Sequence, residues 1–347
     1  MKVFQALNCG KGGFTELPVP HIENDQLLIK VAYCGICGTD YALFSGNSSF
    51  IKNGLATYPI RLGHEWSGIV AKIGNAVFDF KIGDRVVGDN YVSCGQCDNC
   101  LNSDYNNCTR RCHVGTIDPC WPGAFAEYIV MPCRHVYHIG NTLPLMEAAL
   151  CEPLSIAYGG IKKMNITGES IVAVIGTGCI GMSAAALAKY RGAGQVYLIG
   201  RNPYKLDMAR RLGITNVIDI RQGPAEEQLM KLTSGKKADF VLECSGSPSS
   251  VMQSIRIAEQ KGKIALIGFY EQTLDGIDID LLVSKELSVV GIMGEYGNVS
   301  ESLKIMQNTD LHLSHLITSV VDFDECAPAF APADHKSIIK TMVRMLE

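Results

Sequence analysis

The sequence predicts an α/β protein of two domains, the first rich in β-strands and the second built on a doubly wound parallel sheet. Its 347 residues exceed what one ordinary hydrophobic core organises. Short apolar runs separated by Gly, Asn and Asp fill roughly the first 150 residues, a pattern typical of strands joined by turns. From about residue 169 onward, apolar runs alternate with helical patterns, which indicates a parallel sheet covered by helices.

The composition restricts the possible partners. Hydrophobic residues make up 47% of the chain and charged residues 19%, which is typical of a folded globular protein. The net charge of −4 gives no basic footprint for nucleic acid. We find no signal-peptide pattern and no apolar run of about eighteen residues, so we expect a cytoplasmic protein without a membrane partner. In that setting, the fourteen cysteines indicate thiols and metal ligands rather than disulfides.

The predicted elements follow from these patterns. In the β-rich part, strands are expected at residues 26–33 and 66–73, and another begins near residue 84. In the second part, the expected order is strand Ile171–Ile175, helix 182–190, strand 195–199, helix 203–212 and strand 216–220, with later strands at 239–242 and 263–267. The pattern after about residue 290 is mixed and predicts no particular element.

Four cysteines within fifteen residues predict a structural zinc site. They are Cys94, Cys97, Cys100 and Cys108. Short Cys-x-x-Cys steps allow one loop to surround a tetrahedral zinc ion, and four thiolates leave no open coordination position. The sequence therefore predicts a zinc ion that stabilises the fold and takes no part in catalysis.

A glycine motif directly after the predicted strand Ile171–Ile175 indicates a dinucleotide site. Gly176, Gly178 and Gly181 form G-x-G-x-x-G, and Cys179 and Ile180 lie between the second and third glycines. The first glycine permits a tight turn, the second a close approach of a pyrophosphate to the helix N-terminus, and the third close packing of helix and strand. The strand–turn–helix context makes this motif much more specific than a glycine-rich turn alone.

The end of the following strand indicates which dinucleotide is preferred. An acidic residue at this place commonly binds the ribose 2′-hydroxyl of NAD. Here the chain has Gly200 and Arg201 instead, with Lys205 one helical turn later. Cations suit a 2′-phosphate, so the sequence predicts a preference for NADP(H). The alternative is that Arg201 and Lys205 are solvated surface charges and that NAD(H) binds through other groups.

A second, dispersed set of ligand residues lies in the β-rich part and just after it. Cys37 precedes Gly38 and Thr39, His64 precedes Glu65, and Glu152 precedes a proline. A catalytic zinc ion takes about three protein ligands and keeps one position open, which one Cys, one His and one carboxylate would satisfy. Each residue alone has an ordinary structural interpretation, and only the combination indicates a metal site.

Taken in order along the whole chain, these motifs resemble the zinc-dependent medium-chain dehydrogenases. The Glu152-Pro153 pair is similar to the branch of polyol (sorbitol), threonine and butanediol dehydrogenases. The resemblance implies a GroES-like β-barrel catalytic domain at residues 1–155 and 290–347, and a Rossmann domain at residues 156–289. It further implies an active site in the cleft between the domains and a homo-oligomer, either a dimer or a tetramer.

The resemblance also implies roles for individual residues. Cys37 and His64 would bind the catalytic zinc ion, and either Glu65 or Glu152 would complete the site. Thr39 would relay the substrate proton, and Asp40 would orient a ligand or its loop. The implied reaction is reversible hydride transfer between NADP(H), or less favourably NAD(H), and a secondary alcohol or ketone of a polyol or sugar alcohol.

Several alternatives remain open at this point. The substrate could be a small diol or hydroxyketone of the butanediol and acetoin type, or a polyol phosphate. Remoter alternatives are a nucleic-acid zinc module and a non-catalytic protein that binds zinc and nucleotide. The chain lacks a His often found shortly after Asp40 and an Arg expected near residue 294, and we expect Glu295 near the pocket to disfavour a phosphorylated substrate. His113 and His135 are expected at the surface.

Overall fold

Two sheets organise the chain. The structure is a computed structural model that describes residues 1–118, 120–331 and 336–345. In these residues, one sheet has seven strands that are mostly antiparallel, and the other has six strands that are all parallel. The α/β fold class is therefore confirmed. Within the described ranges, no helix combines the length and the apolar character needed to cross a membrane.

The strands occupy both ends and the middle of the chain. They are β1 (Lys2–Asn8), β2 (Lys11–Glu16), β3 (Gln26–Ile36), β4 (Glu65–Ile73), β5 (Arg85–Gly88), β6 (Tyr91–Val92), β7 (Cys112–Val114), β8 (Cys120–Trp121), β9 (Tyr128–Pro132), β10 (Val136–His138), β11 (Ile171–Ile175), β12 (Gln195–Gly200), β13 (Asn216–Asp219), β14 (Ala238–Glu243), β15 (Ala258–Leu266), β16 (Ser288–Gly291), β17 (Ile317–Asp322) and β18 (Lys340–Arg344).

Most of the helical residues lie in the second half of the chain. They are α1 (Gly38–Phe44), α2 (Ser49–Lys52), α3 (Asp98–Leu101), α4 (Leu145–Ala148), α5 (Cys151–Lys162), α6 (Cys179–Tyr190), α7 (Pro203–Arg211), α8 (Ala225–Leu232), α9 (Ser250–Ile257), α10 (Ile279–Ser284) and α11 (Asn298–Asn308). Short 3₁₀ turns lie at Tyr105–Asn107, Cys133–His135, Ile220–Gln222, Leu313–Leu316, Phe323–Glu325 and Ala327–Phe330.

The antiparallel sheet is completed by the C-terminal part of the chain. Its strand order is β10-β5-β4-β3-β18-β17, and β9 also pairs with β3. In β3, Leu27, Ile29 and Val31 are fully buried at two-residue spacing, as expected for one face of a strand against a core. Trp66 and Phe125 belong to the same core cluster. Because β18 lies directly beside β3, residues near the end of the chain reach the centre of this sheet.

The parallel sheet has the strand order β13-β12-β11-β14-β15-β16. The first of these six strands along the chain, β11, is therefore central, and the order reverses between β11 and β14. Open parallel sheets bind ligands at such a reversal, outside the carboxyl ends of the strands. All five residues of β11 are buried, which explains why its sequence is a continuous apolar run rather than an alternating one.

Most predicted strands and helices are present, with shifted ends. The strand Ile171–Ile175 coincides with β11. β3 continues past residue 33 to Ile36, because its last residues pair with both β4 and β18. β15 begins at Ala258, five residues before the predicted strand at 263–267. The domain boundaries remain predictions: α5 crosses the predicted limit at residues 155 and 156, and β16 crosses the one at residues 289 and 290.

Candidate active site and metal centres

A pocket lies where the antiparallel sheet meets the parallel sheet. Its volume is about 120 Å³. One side carries the polar residues that the sequence singled out, namely Cys37, Thr39, His64, Glu65 and Glu152. Apolar side chains from both parts of the chain form most of the remaining wall: Phe50, Ile117, Ile156, Ile180, Ile267, Phe269, Ile292 and Met293. The pocket therefore places the polar group beside residues that follow the parallel strands.

Three potential metal ligands converge in this pocket. The thiol of Cys37, a ring nitrogen of His64 and a carboxylate oxygen of Glu65 lie within 4.8 Å of one another. The β-sheet produces this convergence: Cys37 directly follows β3, Glu65 begins β4, and the register pairs Gly35 with Glu65. A Cβ atom at Gly35 would lie 2.2 Å from Oε2 of Glu65, so the close approach requires glycine.

Asp40 orients the loops that carry the first two ligands. Its carboxylate accepts hydrogen bonds from the backbone N–H groups of Cys37 (2.9 Å) and Gly63 (3.2 Å), and it lies 3.8 Å from Nδ1 of His64. Burial disfavours the charged imidazole, but the negative charges of Asp40, Cys37 and Glu152 outweigh burial and raise the pKa of His64. This surplus of negative charge around a buried imidazole fits a site for a divalent cation.

A buried lysine that sequence reasoning missed contacts this group. Nζ of Lys340 lies 2.7 and 2.6 Å from the two carboxylate oxygens of Glu65 and donates to the carbonyl of Ile36 at 3.1 Å. Burial alone would lower the pKa of Lys340, but the charge of Glu65 outweighs burial and raises it. The available signal was weak: one lysine at the start of an apolar run, in the part of the chain whose pattern is mixed.

Glu152 lies in the wall of the pocket but outside the group of three ligands. It belongs to the first turn of α5, and Nδ2 of Asn90 donates to its Oε1 at 2.6 Å. Burial raises the pKa of the Glu152 carboxyl to about 7, against the lowering effect of His64. Glu65 therefore shares a compact ligand group with Cys37 and His64, whereas Glu152 lines the pocket outside that group.

The four-cysteine segment forms a second compact group. All four thiol sulfurs lie within 4.8 Å of one another. The sulfur separations are 3.9 Å between Sγ of Cys94 and Cys100, and 3.5 Å between Sγ of Cys97 and Cys100. A zinc tetrahedron with Zn–S bonds of about 2.3 Å requires sulfur separations of about 3.8 Å. The geometry of Cys94, Cys97, Cys100 and Cys108 therefore fits zinc.

Backbone N–H groups also favour thiolates in this segment. The N–H groups of Gln96 and Cys97 point to Sγ of Cys94 at 3.5 and 3.4 Å, and that of Cys94 points to Sγ of Cys108 at 3.2 Å. The N–H of Cys100 is the main cause that lowers the pKa of the Cys97 thiol to about 5. Thiolates are the form that binds metal ions.

The expectation that His135 lies at the surface is wrong. His135 is completely buried, with Nδ1 at 2.7 Å from Asp89 Oδ2 and Nε2 at 2.7 Å from Ser93 Oγ. The backbone N–H of Ser93 also points to Nε2 at 2.9 Å. This buried imidazole links Ser93, which directly precedes Cys94, to Asp89, which directly follows β5. It therefore supports the cysteine segment from within the protein.

The expectations for His113 and Glu295 also need correction. His113 is half-buried and lines the pocket, because β7 turns its side chain inward. Glu295 lies outside the pocket lining and instead pairs with Lys162 (2.5 Å) and Lys163 (3.1 Å). Its charge is therefore balanced by these two lysines, one residue away from the lining residue Gly294.

The glycine motif has the geometry expected of a dinucleotide site. Gly176 has a φ of +117°, in the region that favours glycine. A Cβ atom at Gly181 would lie 2.0 Å from the carbonyl oxygen of Gly176, whereas one at Gly178 would meet no atom within 4 Å. The space above Gly178 leaves the N-terminus of α6, at Cys179 and Ile180, open to a pyrophosphate.

Two basic side chains without an ion-pair partner in the described residues follow the end of β12. A Cβ atom at Gly200 would lie 2.4 Å from Cγ2 of Thr177, so glycine is required there. Arg201 is exposed and Lys205 is half-buried. Across the described ranges, neither side chain forms an ion pair with an acidic residue. Burial lowers the pKa of Lys205.

Direct contacts between α2 and the loop after β15 cover one end of the pocket. The rings of Phe50 and Phe269 meet edge to face with centroids 5.2 Å apart. The backbone N–H of Ser49 donates to the carboxylate of Glu271, and Nζ of Lys52 donates to the Glu271 carbonyl at 2.9 Å. We call these contacts the clasp. They connect the part of the chain that carries the cysteine and histidine ligands to the part that carries the glycine motif.

The buried pair of Lys340 and Glu65 yields a stability prediction. Lys340→Met leaves the Glu65 carboxylate buried without its partner and should lower the free energy of unfolding by about 3–5 kcal/mol. The double variant with Glu65→Gln should recover part of this loss. Urea unfolding of each variant measures the effect. As a control, Lys304→Met removes an exposed pair with Glu301 and should lower the free energy of unfolding by less than about 1 kcal/mol. If Lys340→Met and Lys304→Met lowered the free energy of unfolding equally, the structural role of Lys340 would be refuted.

Comparison with known protein families agrees with this geometry. The family model for the alcohol dehydrogenase GroES-like domain matches residues 23–141, and the model for zinc-binding dehydrogenases matches residues 179–308. The first match covers most of the antiparallel sheet and the cysteine segment. The second begins at the first residue of α6 and ends with α11.

Individual relatives cover nearly the whole chain. A sorbitol dehydrogenase from Bacillus subtilis is 31% identical over 317 residues, covering 91% of this chain and 89% of the relative. An L-threonine 3-dehydrogenase from Escherichia coli K12 is 32% identical, covering 95% of each chain. A zinc-binding dehydrogenase from Sinorhizobium meliloti bound to NADP superposes with a TM-score of 0.89 at 29% identity, covering 99% and 98%. The chain therefore belongs to the zinc-dependent medium-chain dehydrogenases, in the polyol and threonine dehydrogenase branch.

Proposed function

We propose that the protein catalyses reversible hydride transfer between NADP(H) and the secondary alcohol of a short diol, or the matching hydroxyketone. The observation that carries this proposal is the pocket itself, which brings Cys37, His64 and Glu65 beside Ile180 of the glycine motif. A metal site and a dinucleotide site that share one small cavity suit a reaction in which hydride passes directly between alcohol and nicotinamide.

We assign the catalytic zinc ligands to Cys37, His64 and Glu65. Their potential ligand atoms already lie within 4.8 Å of one another, whereas Glu152 is held by Asn90 in the wall. These residues would hold a zinc ion, which would supply Lewis-acid chemistry that lowers the pKa of an alcohol or polarises a carbonyl. Lys340 neutralises part of the negative charge of the ligand set and fixes the rotamer of Glu65.

Thr39 is the proposed proton relay. Its side chain lines the pocket at the start of α1, two residues after Cys37. A hydroxyl can accept the proton of the alcohol and donate its own onward, so it transfers a proton without carrying charge. A dinucleotide bound at the glycine motif would supply the hydride acceptor. The apolar side chains of Ile180 and Ile267 in the wall would help to exclude water from this exchange.

The pocket wall favours a short diol or hydroxyketone over a sugar alcohol. A long polyol would place several hydroxyl groups against Phe50, Ile117 and Ile292, where they would lose hydrogen bonds to water without replacement. The cavity of about 120 Å³ is also well below the roughly 300–1,000 Å³ of pockets for larger ligands. A polyol phosphate is disfavoured because no lysine or arginine occurs among the described lining residues.

For the cofactor, we propose a preference for NADP(H) through Arg201 and Lys205. Both lie just beyond β12, where a ribose 2′-phosphate would approach, and neither is committed to an ion pair in the described part of the chain. The relative from Sinorhizobium meliloti that is bound to NADP supports this proposal by similarity alone. We assign Cys94, Cys97, Cys100 and Cys108 to the structural zinc ion.

The substrate proposal predicts a definite order of activities. Zinc-loaded enzyme should oxidise 2,3-butanediol with NADP more efficiently than sorbitol, xylitol, ribitol, galactitol or threonine, because the wall is mainly apolar. Absorbance at 340 nm measures kcat/KM for each pair of substrate and cofactor. Cys37→Ser serves as the inactive control, since it removes a proposed metal ligand. A clear preference for sorbitol would contradict the short-diol assignment, and inactivity on all six would contradict the substrate class.

The cofactor proposal predicts an asymmetric effect of one substitution. Arg201→Ala should lower kcat/KM with NADP by roughly tenfold or more, since a charged hydrogen bond to phosphate contributes about 1.5–3 kcal/mol. The value with NAD should change little. Arg210→Ala is the matched control, because Arg210 is exposed on α7, the helix that follows Arg201, and pairs with Asp207. Equal effects of Arg201→Ala on both cofactors would contradict the assignment.

The structural-zinc assignment predicts a loss of metal and of stability together. Cys97→Ser should reduce the zinc content from two ions per chain to one and lower the yield of folded protein, because zinc binding contributes directly to folding. Cys112→Ser, close to the segment but outside the ligand set, should retain two ions. Elemental analysis and thermal unfolding measure both effects. A stable Cys97→Ser variant with two zinc ions would rule out this site.

A further inference from the structure

We propose that His113 is a specificity-determining residue that hydrogen-bonds the second oxygen of a vicinal diol or α-hydroxyketone in the pocket. This inference rests on the proposed function and deepens it, since it names the group that distinguishes a diol from a simple alcohol. None of the sequence motifs includes His113.

The backbone holds His113 in a defined place. It is the middle residue of β7, which lies between β6 and β8 in a three-stranded sheet. The register pairs it with Tyr91 on one side and with Cys120 on the other. Its side chain lines the same cavity as Cys37 and His64. A group on the middle strand of a sheet can hold a substrate atom with little loss of conformational entropy.

The imidazole of His113 is available for a ligand. In the ranges that the structure describes, its ring forms no hydrogen bond, and it lies outside both groups of potential metal ligands. The other histidines near the site differ: Asp40 lies beside His64, and His135 is bound by Asp89 and Ser93. A half-buried polar ring that faces a cavity without a partner gains a hydrogen bond when a polar ligand enters.

The chemistry of His113 suits a neutral oxygen group. Burial, followed by the positive charges of Arg111 and His64, lowers the pKa of His113 to about 4. The ring is therefore neutral at pH 7 and offers one N–H donor and one acceptor nitrogen, which matches a hydroxyl or a carbonyl. Arg111 does not compete for the ligand, because it stacks on Tyr91 and donates to the carbonyl of Gly294 at 2.7 Å.

Among the other polar side chains of the pocket wall, one could compete with His113 for the second substrate oxygen. Asn90 is bound to Glu152, and Thr39 has the proposed role of proton relay. Thr116, three residues after His113, also lines the pocket. Its hydroxyl could bind the same substrate oxygen, so the experiment must separate the two residues. The apolar side chains that make up most of the wall would then accommodate the alkyl part of the substrate.

The test compares 2,3-butanediol with 2-butanol, which differ by one hydroxyl group. We expect the wild-type enzyme to have a higher kcat/KM for the diol. His113→Phe should reduce kcat/KM for the diol by roughly tenfold, the value of one neutral hydrogen bond, and should leave 2-butanol unchanged or improved. His113→Gln, which keeps a donor and an acceptor, should retain part of the preference. Thr116→Val should leave the preference intact.

A binding measurement provides a second readout that does not depend on turnover. Calorimetric titration of the enzyme–NADPH complex with each alcohol yields dissociation constants, since the reduced cofactor accepts no hydride. His113→Phe should weaken binding of the diol and not of 2-butanol. Equal losses for both alcohols, or a preference abolished only by Thr116→Val, would overturn the role of His113. Wild-type enzyme that oxidises neither alcohol would instead refute the proposed function.

Discussion

The buried ion pair between Glu65 and Lys340 is the constraint on which the candidate site depends. It joins the start of β4 to the start of β18, so two segments 275 residues apart meet inside the antiparallel sheet. A lone charge at either position would be very costly to bury, whereas together they satisfy one another. The pair thus couples the completion of the sheet to the placement of Glu65 beside Cys37 and His64. Folding and assembly of the metal site are, in this sense, one process.

Local sequence patterns predicted the parallel sheet better than the antiparallel one. A continuous apolar run such as β11, followed by glycines and a helical pattern, has few alternative interpretations because both faces of the strand are covered. The position of β18 could not be predicted in this way. Its five residues pair with β3 and β17, and only the tertiary fold determines that neighbourhood. For the same reason, no pattern identified Lys340 as the partner of Glu65.

The residues of the candidate site also differ in how far local sequence predicts them. The cysteine segment and the glycine motif are local, so spacing alone predicted which residues would lie together there. The burial and position of the histidines were harder to predict, because their environment depends on residues distant in the sequence. His135 is buried, and Asp89 and Ser93 satisfy both of its ring nitrogens; His113 lines the pocket from β7, the middle strand of the three-stranded sheet. Neither fact has a signal in the nearby sequence.

The clasp has a kinetic consequence. It covers the pocket with one aromatic contact and two hydrogen bonds, and Phe269 remains 45% exposed, so its opening requires far less free energy than unfolding. If reactants enter and leave through this end of the pocket, they pass the clasp twice in each cycle. If departure is slower than chemistry, the lifetime of the closed state sets the rate of the cycle. Evolution could then adjust throughput at Phe50 or Glu271 without altering a single group that touches the reacting atoms.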